Sequence, residues 1–128
     1  MISKEQLKLD LAYKGYIEIF DGQHIEIIRG GLYYIAEGEA TVTQSGGYCL
    51  SFYDSKVHNV QSGGIFDAYD NAKIYCILSG GHCMSYDDST AHVTQSGGNC
   101  HSYDNATVYN SYTDGKYKSY GHSIMSIS

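Results

Sequence analysis

Small, apolar and polar positions recur along this chain with a period of 17 residues. The period is clearest in a hydroxyl–Gly–Gly signal: Ser45-Gly46-Gly47, Ser62-Gly63-Gly64, Ser79-Gly80-Gly81 and Ser96-Gly97-Gly98, with Thr113-Asp114-Gly115 as a degenerate fifth copy. A fixed short period of this kind is typical of a solenoid, in which each coil buries its side chains against its neighbours. The four to six residues between corners predict short strands.

Three columns of the repeat stay small or apolar while the positions beside them vary. They are Ser51, Ala68, Ser85, Ser102, Ser119; Ser55, Ala72, Ser89, Ala106, Ser123; and Val57, Ile74, Ala91, Val108, Met125. Such columns are expected to face inward, where coil-on-coil stacking limits volume. Gly-Gly at one corner and Asp-Asn, Asp-Asp or Asp-Ser at another suit tight turns. We therefore predict an all-β fold, a parallel β-helix (β-solenoid) of five or six coils, with either three faces or two sheets.

The first 39 residues follow the repeat poorly. Ser3 with Gln6 three residues later is a capping-box pattern, whereas Leu7, Leu9 and Leu11 alternate as in a strand. We predict a short N-terminal helix over residues 3–13 that caps the solenoid, with β-structure from Tyr16 onward. The expected organisation is one domain, with a cap and irregular first coils in residues 1–39 and the repeat region in residues 40–128.

Composition narrows the range of partners. The chain has 15 Gly, 14 Tyr, no Pro and no Trp, and a formal net charge of −6. Arg29 is its one arginine, so a basic groove for nucleic acid is not expected. The sequence has neither a long apolar run nor a signal-peptide pattern, which favours a protein that works in a cytoplasm.

Three of the four cysteines share one column of the repeat. Cys49, Cys83 and Cys100 alternate there with Phe66 and Tyr117, and a disulfide framework would not tolerate aromatic residues at its positions. Buried free thiols are the favoured interpretation, with a bond between Cys83 and Cys100 in adjacent coils as the alternative. Neither paired-cysteine nor paired-histidine spacing suggests a metal site, and we predict no cofactor.

Two segments carry a resemblance to a known kind of repeat. They are Ala68-Tyr69-Asp70-Asn71-Ala72-Lys73-Ile74 and Ser102-Tyr103-Asp104-Asn105-Ala106-Thr107-Val108. Both resemble the AYDNATV repeats of β-solenoid proteins encoded by phages, prophages and gut bacteria, and the period is more distantly similar to that of bactofilins. The resemblance covers about residues 40–123. It implies a β-solenoid of phage or mobile-element origin that works in the cytoplasm of a bacterial host cell, and it brings no catalytic residue with it.

Tyrosine and aspartate columns are the candidate binding surface. Phe52, Tyr69, Tyr86, Tyr103 and Tyr120 form one column, Asp70, Asp87 and Asp104 the next, and Asp54, Asn71, Asp88 and Asn105 the one after. An outward stack of rings would stabilise the coils or contact a protein partner. The carboxylates would satisfy turn amides or attract a basic surface. The predicted binding residues are Tyr69, Asp70, Tyr86, Asp87, Asp88, Tyr103, Asp104 and Tyr120.

These patterns favour a binding protein over an enzyme. Aspartates repeated in every coil do not single out a catalytic pair, and the Gly-Gly corners lack the spacing of calcium-binding repeats. The most concrete hypothesis is an inhibitor of a bacterial defence complex, of the anti-CRISPR type, that occupies a basic nucleic-acid-binding surface. The alternative is a structural or self-assembling module of a phage particle or filament, with homo-oligomers. Ice binding is a more remote alternative, because Thr41 and Thr43 do not continue as a ladder.

Overall fold

The computed structural model describes residues 3–128. Within that range one helix, α1 (Lys4–Tyr13), precedes fourteen strands. The strands are β1 (Ile17–Glu18), β2 (His24–Ile27), β3 (Leu32–Ile35), β4 (Glu39–Gln44), β5 (Tyr48–Ser51), β6 (Lys56–Gln61), β7 (Ile65–Ala68), β8 (Lys73–Leu78), β9 (His82–Ser85), β10 (Thr90–Gln95), β11 (Asn99–Ser102), β12 (Thr107–Tyr112), β13 (Lys116–Ser119) and β14 (Ile124–Ile127). Short strands between tight corners are what the period predicted.

The strands form two parallel sheets of seven strands each across residues 3–128. One, the odd sheet, runs β1-β3-β5-β7-β9-β11-β13, and the other, the even sheet, runs β2-β4-β6-β8-β10-β12-β14. Each coil gives one strand to each sheet, so the predicted β-solenoid is confirmed and its cross-section is the flattened two-sheet form. There are seven coils, more than the five or six predicted, because the irregular first coils also join the ladders.

The register explains why the first coils hid the repeat. From Cys49 onward, residues 17 apart are paired, as in Cys83 with Cys100. Earlier in the odd sheet Ile17 pairs with Tyr33 and Tyr33 with Cys49, a spacing of 16. The even sheet keeps the spacing of 17 from His24 onward, so in the first coils only one of the two sheets follows a constant period. Pairing nevertheless continues across residue 39, and the division at that point stays a prediction.

The core is narrow and lies between the two sheets. The three predicted inward columns are buried from Ser51 to Val108 and become exposed or half-buried only in the last coil. Phe66 is the largest side chain that is fully buried. Because Phe66 shares a column with cysteines, the neighbouring coils leave room for it by placing small thiols above and below.

All four cysteines are free and buried, as the favoured interpretation predicted. Burial raises the pKa of the Cys49 and Cys100 thiols, and a hydrogen bond with Cys76 together with burial raises that of Cys83. Thiols held in the neutral form are poor nucleophiles. The cysteines therefore act as small apolar side chains that fill the core.

Buried glutamines hold the Gly-Gly corners, a feature the sequence interpretation missed. Gln61 Nε2 donates to the carbonyl oxygens of Gly64 (3.1 Å) and His82 (2.8 Å), which tie a corner to the next coil. Gln44 and Gln95 make the equivalent pairs of bonds in their coils. Glutamine is mostly an exposed residue, so its recurrence at one column did not suggest an inward position.

Helix α1 lies on the side of the solenoid, against the outer face of the odd sheet. Ser3 caps it, because its Oγ accepts the backbone N–H of Gln6 at 3.1 Å, which confirms the predicted helix. Leu11 packs with Tyr34 of the second coil, and the Lys4 ammonium lies 5.0 Å from the ring of Tyr53 in the third. The helix thus contacts the first three coils, through Glu18, Tyr34 and Tyr53.

Ion pairs fix the helix at its centre. Lys8 Nζ lies 2.8 Å from a Glu37 carboxylate oxygen and 3.0 Å from one of Glu18. These hydrogen bonds raise the pKa of Lys8 and lower that of Glu37. In the part of the chain that the structure describes, no helix is long and apolar enough to cross a membrane.

Candidate binding surfaces

The predicted aromatic column forms a continuous stack, here called the tyrosine ladder. Its members are Phe52, Tyr69, Tyr86, Tyr103 and Tyr120. Successive ring centroids are 5.2, 5.0, 4.7 and 4.8 Å apart, with planes within 11° of parallel. This spacing is that of neighbouring strands, so the backbone imposes it. Four of the five rings are half-buried, and Tyr120 in the last coil is exposed.

The ladder leans over the outer face of the odd sheet, where each ring meets the side chain two residues earlier. Tyr69 Oη donates to Asp67 Oδ2 at 3.2 Å, and Tyr103 Oη lies 3.2 Å from His101 Nδ1. Burial and the nearby Asp67 charge raise the pKa of Tyr69. The same two causes raise the pKa of Tyr86 to about 12. The Tyr69 and Tyr86 phenols are therefore protonated hydrogen-bond donors at neutral pH.

The aspartate row beside the ladder has a structural role of its own. Asp70, Asp87 and Asp104 have left-handed backbones with φ between 57° and 58°. The carboxylate of Asp87 accepts the N–H of Asp70 at 3.0 Å, and that of Asp104 accepts the N–H of Asp87 at 3.0 Å. Each carboxylate thus satisfies a turn amide of the preceding coil, while one oxygen remains free to meet solvent or a partner.

Beside the tyrosine ladder, the fifth and sixth coils carry negative charge that no neighbouring lysine offsets. Asp87, Asp88 and Asp104 are exposed there, next to Tyr86 and Tyr103. The column that begins each even strand after the aspartate corner holds a lysine in the third and fourth coils, Lys56 and Lys73. In the fifth and sixth coils the same column holds a neutral residue, Thr90 and Thr107. Seven of the predicted binding residues thus lie along one edge of the solenoid with Tyr120 continuing it, and we call this the Tyr/Asp edge.

Asp67 is the most strongly perturbed carboxylate of the surface. It lies on the outer face of the odd sheet between Leu50 and Met84, and its Oδ1 is buried without a hydrogen-bond partner among the described residues. Burial raises its pKa to about 6, against the opposing effects of the Tyr69 hydroxyl and His82. The sequence offered no sign of this site, because a single aspartate in an alternating strand is usually solvated.

A second aromatic stack crosses the outer face of the even sheet. This histidine–tyrosine ladder consists of His58, Tyr75, His92 and Tyr109, with ring centroids 5.0, 5.2 and 5.0 Å apart. The sequence contained the signal, since these planar side chains share one column. Because neighbouring coils repeat this position at strand spacing, the fold brings the four rings into a stack.

A shallow groove of about 390 Å³ runs beside the histidine–tyrosine ladder. Its other wall is an aliphatic row in which Val60 is 48% and Ile77 is 57% exposed. Branched aliphatic side chains exposed to this degree on adjacent strands form a flat apolar strip. The even sheet therefore presents a second surface, which differs from the Tyr/Asp edge in lacking carboxylates along the groove.

Metal-ligating and histidine side chains occur on both of these surfaces. Among residues 3–128, no group of three or more His, Cys, Asp or Glu side chains is placed to hold a metal ion. His58 is paired with Glu39, and burial lowers the pKa of His101. No protein-family model matches the chain, and neither the curated proteins nor the solved structures contain a significant match. The two surfaces are therefore the features of the molecule that bear on its function.

Proposed function

We propose that this protein is a non-enzymatic binding scaffold whose Tyr/Asp edge contacts a basic surface of a protein partner. The observation that carries the proposal is the edge itself, in which parallel rings and carboxylates repeat at coil spacing on hydrogen-bonded backbone. Binding to a surface that is already ordered loses little conformational entropy. Tyrosine supplies contact area and the carboxylates supply attraction toward Lys and Arg.

The specific form that we propose is inhibition of a bacterial defence complex of the CRISPR–Cas type. Such complexes hold nucleic acid in grooves lined with positive charge. A rigid row of carboxylates next to Tyr86 and Tyr103 matches that charge, and the repeat resembles those of phage-encoded solenoids. The inhibitor would occupy the groove in place of nucleic acid.

A plaque assay tests this function directly. The protein is expressed in bacterial strains that each carry one active CRISPR–Cas system, and the efficiency of plating of a targeted phage is measured. We expect at least a tenfold rise in plating with one system. Asp88→Lys should abolish the rise in plating, because it places a positive charge against the basic surface of the partner. The substitution should leave the fold intact, since Asp88 is exposed and its side chain makes no hydrogen bond or ion pair in the described range.

The matched control is Glu26→Lys, which makes the same charge change at an exposed position of the even sheet. It should keep full inhibition. Ile77→Asp tests whether the partner uses the groove of the even sheet instead. Unchanged plating on every strain would overturn the inhibitor hypothesis, and loss of inhibition with Ile77→Asp but not Asp88→Lys would overturn the assignment to the Tyr/Asp edge.

A further inference from the structure

The two ends of the solenoid carry strands with one edge unpaired within residues 3–128. At one end these are β1 and β2, and at the other β13 and β14. Their outward edges present backbone N–H and C=O groups in the direction of the solenoid axis. Exposed parallel edges of this kind are templates for pairing with another chain. Helix α1 contacts β1 through Lys8 and Glu18 and reaches Tyr34 and Tyr53 along the side of the solenoid, but it forms no ladder with β1 in the described residues.

Apolar side chains at the two ends occupy matching columns. Ile17 is 56% and Phe20 58% exposed in the first coil. The register places Ile17 in the column of Tyr117, which is 44% exposed in the last coil. Phe20, three residues further, falls in the column of Tyr120. A last coil placed against a first coil in register would therefore bring apolar surface onto apolar surface at both positions.

Charge follows the same register. Glu18 lies in the first coil at the column that holds Lys118 in the last. The Glu18 carboxylate is partly exposed and already lies 3.0 Å from the Lys8 ammonium. Lys118 Nζ lies 5.1 Å from the centre of the Tyr120 ring and makes no ion pair in the described structure. Stacking would place the free ammonium one coil spacing from the carboxylate, a favourable pair at that distance.

We propose that copies of this protein associate head to tail, with β13 and β14 of one copy pairing in parallel with β1 and β2 of the next. The contact is heterologous, so it leaves an open end after every addition and builds a linear stack. The tyrosine ladder would continue across each junction from Tyr120 to Phe20. This association uses the ends of the molecule, and Tyr120 is the one residue that it shares with the Tyr/Asp edge.

Disulfide trapping tests the register of the junction. One preparation carries Phe20→Cys and a second carries Tyr120→Cys, and the two are mixed under mild oxidation; the four native cysteines are buried and do not compete. We expect cross-linked dimers from this mixture. The matched control mixes Phe20→Cys with Ser126→Cys, which lies in the same last coil but in the column of His24. That pair should give at least tenfold less dimer.

Sedimentation over a range of protein concentrations tests the charge pair. The unmodified chain should show a rising average mass, and Lys118→Glu should raise the concentration needed by about tenfold. Lys73→Glu, the same change at an exposed position of the fourth coil, should have no such effect. A monomer at every concentration together with absent cross-links would overturn the proposal. Equal cross-linking of both cysteine pairs, or dimers formed by Tyr120→Cys alone, would overturn it as well.

Discussion

At the scale of single residues, Asp87, which comes directly after Tyr86 of the tyrosine ladder, both stabilises its corner and exposes a negative charge. Asp87 accepts a hydrogen bond from the preceding coil and adopts a left-handed backbone that most residues avoid. Asp and Asn adopt that conformation with less strain than other residues that carry a Cβ. The repeated aspartate is therefore explained by folding, and the charge that it exposes is available for recognition in addition.

Substitutions at Asp87 separate the hydrogen bond from the backbone conformation. Asp87→Asn keeps both an acceptor and tolerance of positive φ, so it should change the free energy of unfolding by less than about 0.5 kcal/mol. Asp87→Gly loses the bond alone and should cost about 1 kcal/mol. Asp87→Ala loses the bond and adds strain, for a total of about 2 kcal/mol. Urea denaturation checks this order, and an alanine variant as stable as the glycine variant would contradict it.

Asp67 makes stability depend on pH in the direction opposite to that of most carboxylates. Its pKa is raised from an ordinary 3.8 to about 6 in the folded protein, so the folded state binds the proton more tightly than the unfolded state does. The contribution of Asp67 to stability is full below about pH 4 and is lost as the pH rises to about 6. Above that pH, the charged carboxylate has a buried oxygen without a partner in the described structure.

Asp67→Asn should remove this dependence. The amide stays neutral, and its oxygen still accepts the Tyr69 hydroxyl, so the variant should be more stable than the unmodified protein by about 1–2 kcal/mol at pH 7.5. At pH 4 the two should unfold at nearly the same denaturant concentration. The comparison is made between the two proteins at each pH, because Glu37, whose pKa is lowered, contributes in the opposite sense to both. A constant difference from pH 4 to 7.5 would refute this account.

At the scale of strands and corners, the coils are held by close backbone approach as well as by ladders of hydrogen bonds. A Cβ at Gly97 would collide with the carbonyl oxygen of Ser79 in the coil before it, and Gly63 and Gly80 have equivalent neighbours. The Gly-Gly corner is therefore needed for two reasons, because its second glycine has positive φ and its first has no space for a side chain. The repeat signal follows from both.

Gly97→Ala should destabilise the protein by about 1–3 kcal/mol, because the neighbouring coils must separate to admit the methyl group. The control is Ser96→Ala, the adjacent exposed position, where the change should stay within about 0.5 kcal/mol. Thermal unfolding of both variants measures the difference. Equal melting temperatures would mean that the corner absorbs the methyl group without moving the coils.

Much of this level of structure could be predicted from the sequence. The inward position of columns such as Ser51 to Ser102 could be predicted because their residues stay small from coil to coil, and a solenoid repeats each environment once per coil. The choice between two sheets and three faces could not be predicted. A third corner needs only one more bend in each coil, and residues other than glycine and aspartate can also form a bend. The role of Gln61 could not be predicted either. A glutamine side chain can be buried only where carbonyl groups accept its hydrogen bonds, and only the folded corner brings those carbonyl groups together.

At the scale of the whole molecule, stability is distributed along the solenoid axis. Each coil contacts only the coils beside it and, for the first three, helix α1. Central coils have neighbours on both sides, whereas β13 and β14 have one, and most of their side chains are exposed or half-buried. A nearest-neighbour array of this kind opens from its ends. The sequence indicates the array but not which end is weaker, since the helix that supports the first coils lies outside the repeat.

Hydrogen exchange should reveal this gradient. We expect the slowest amide exchange in β8 to β11, which have two paired neighbours, and the fastest in β13 and β14. If copies stack head to tail, exchange in β13 and β14 should slow as the protein concentration rises, because their free edges become paired. Lys118→Glu should retain the gradient and shift its dependence on concentration to about tenfold higher protein concentration. Uniform exchange across all coils would show that the solenoid opens as one unit, and a gradient that is steepest at β1 would mean that α1 contributes less to the first coils than its ion pairs imply.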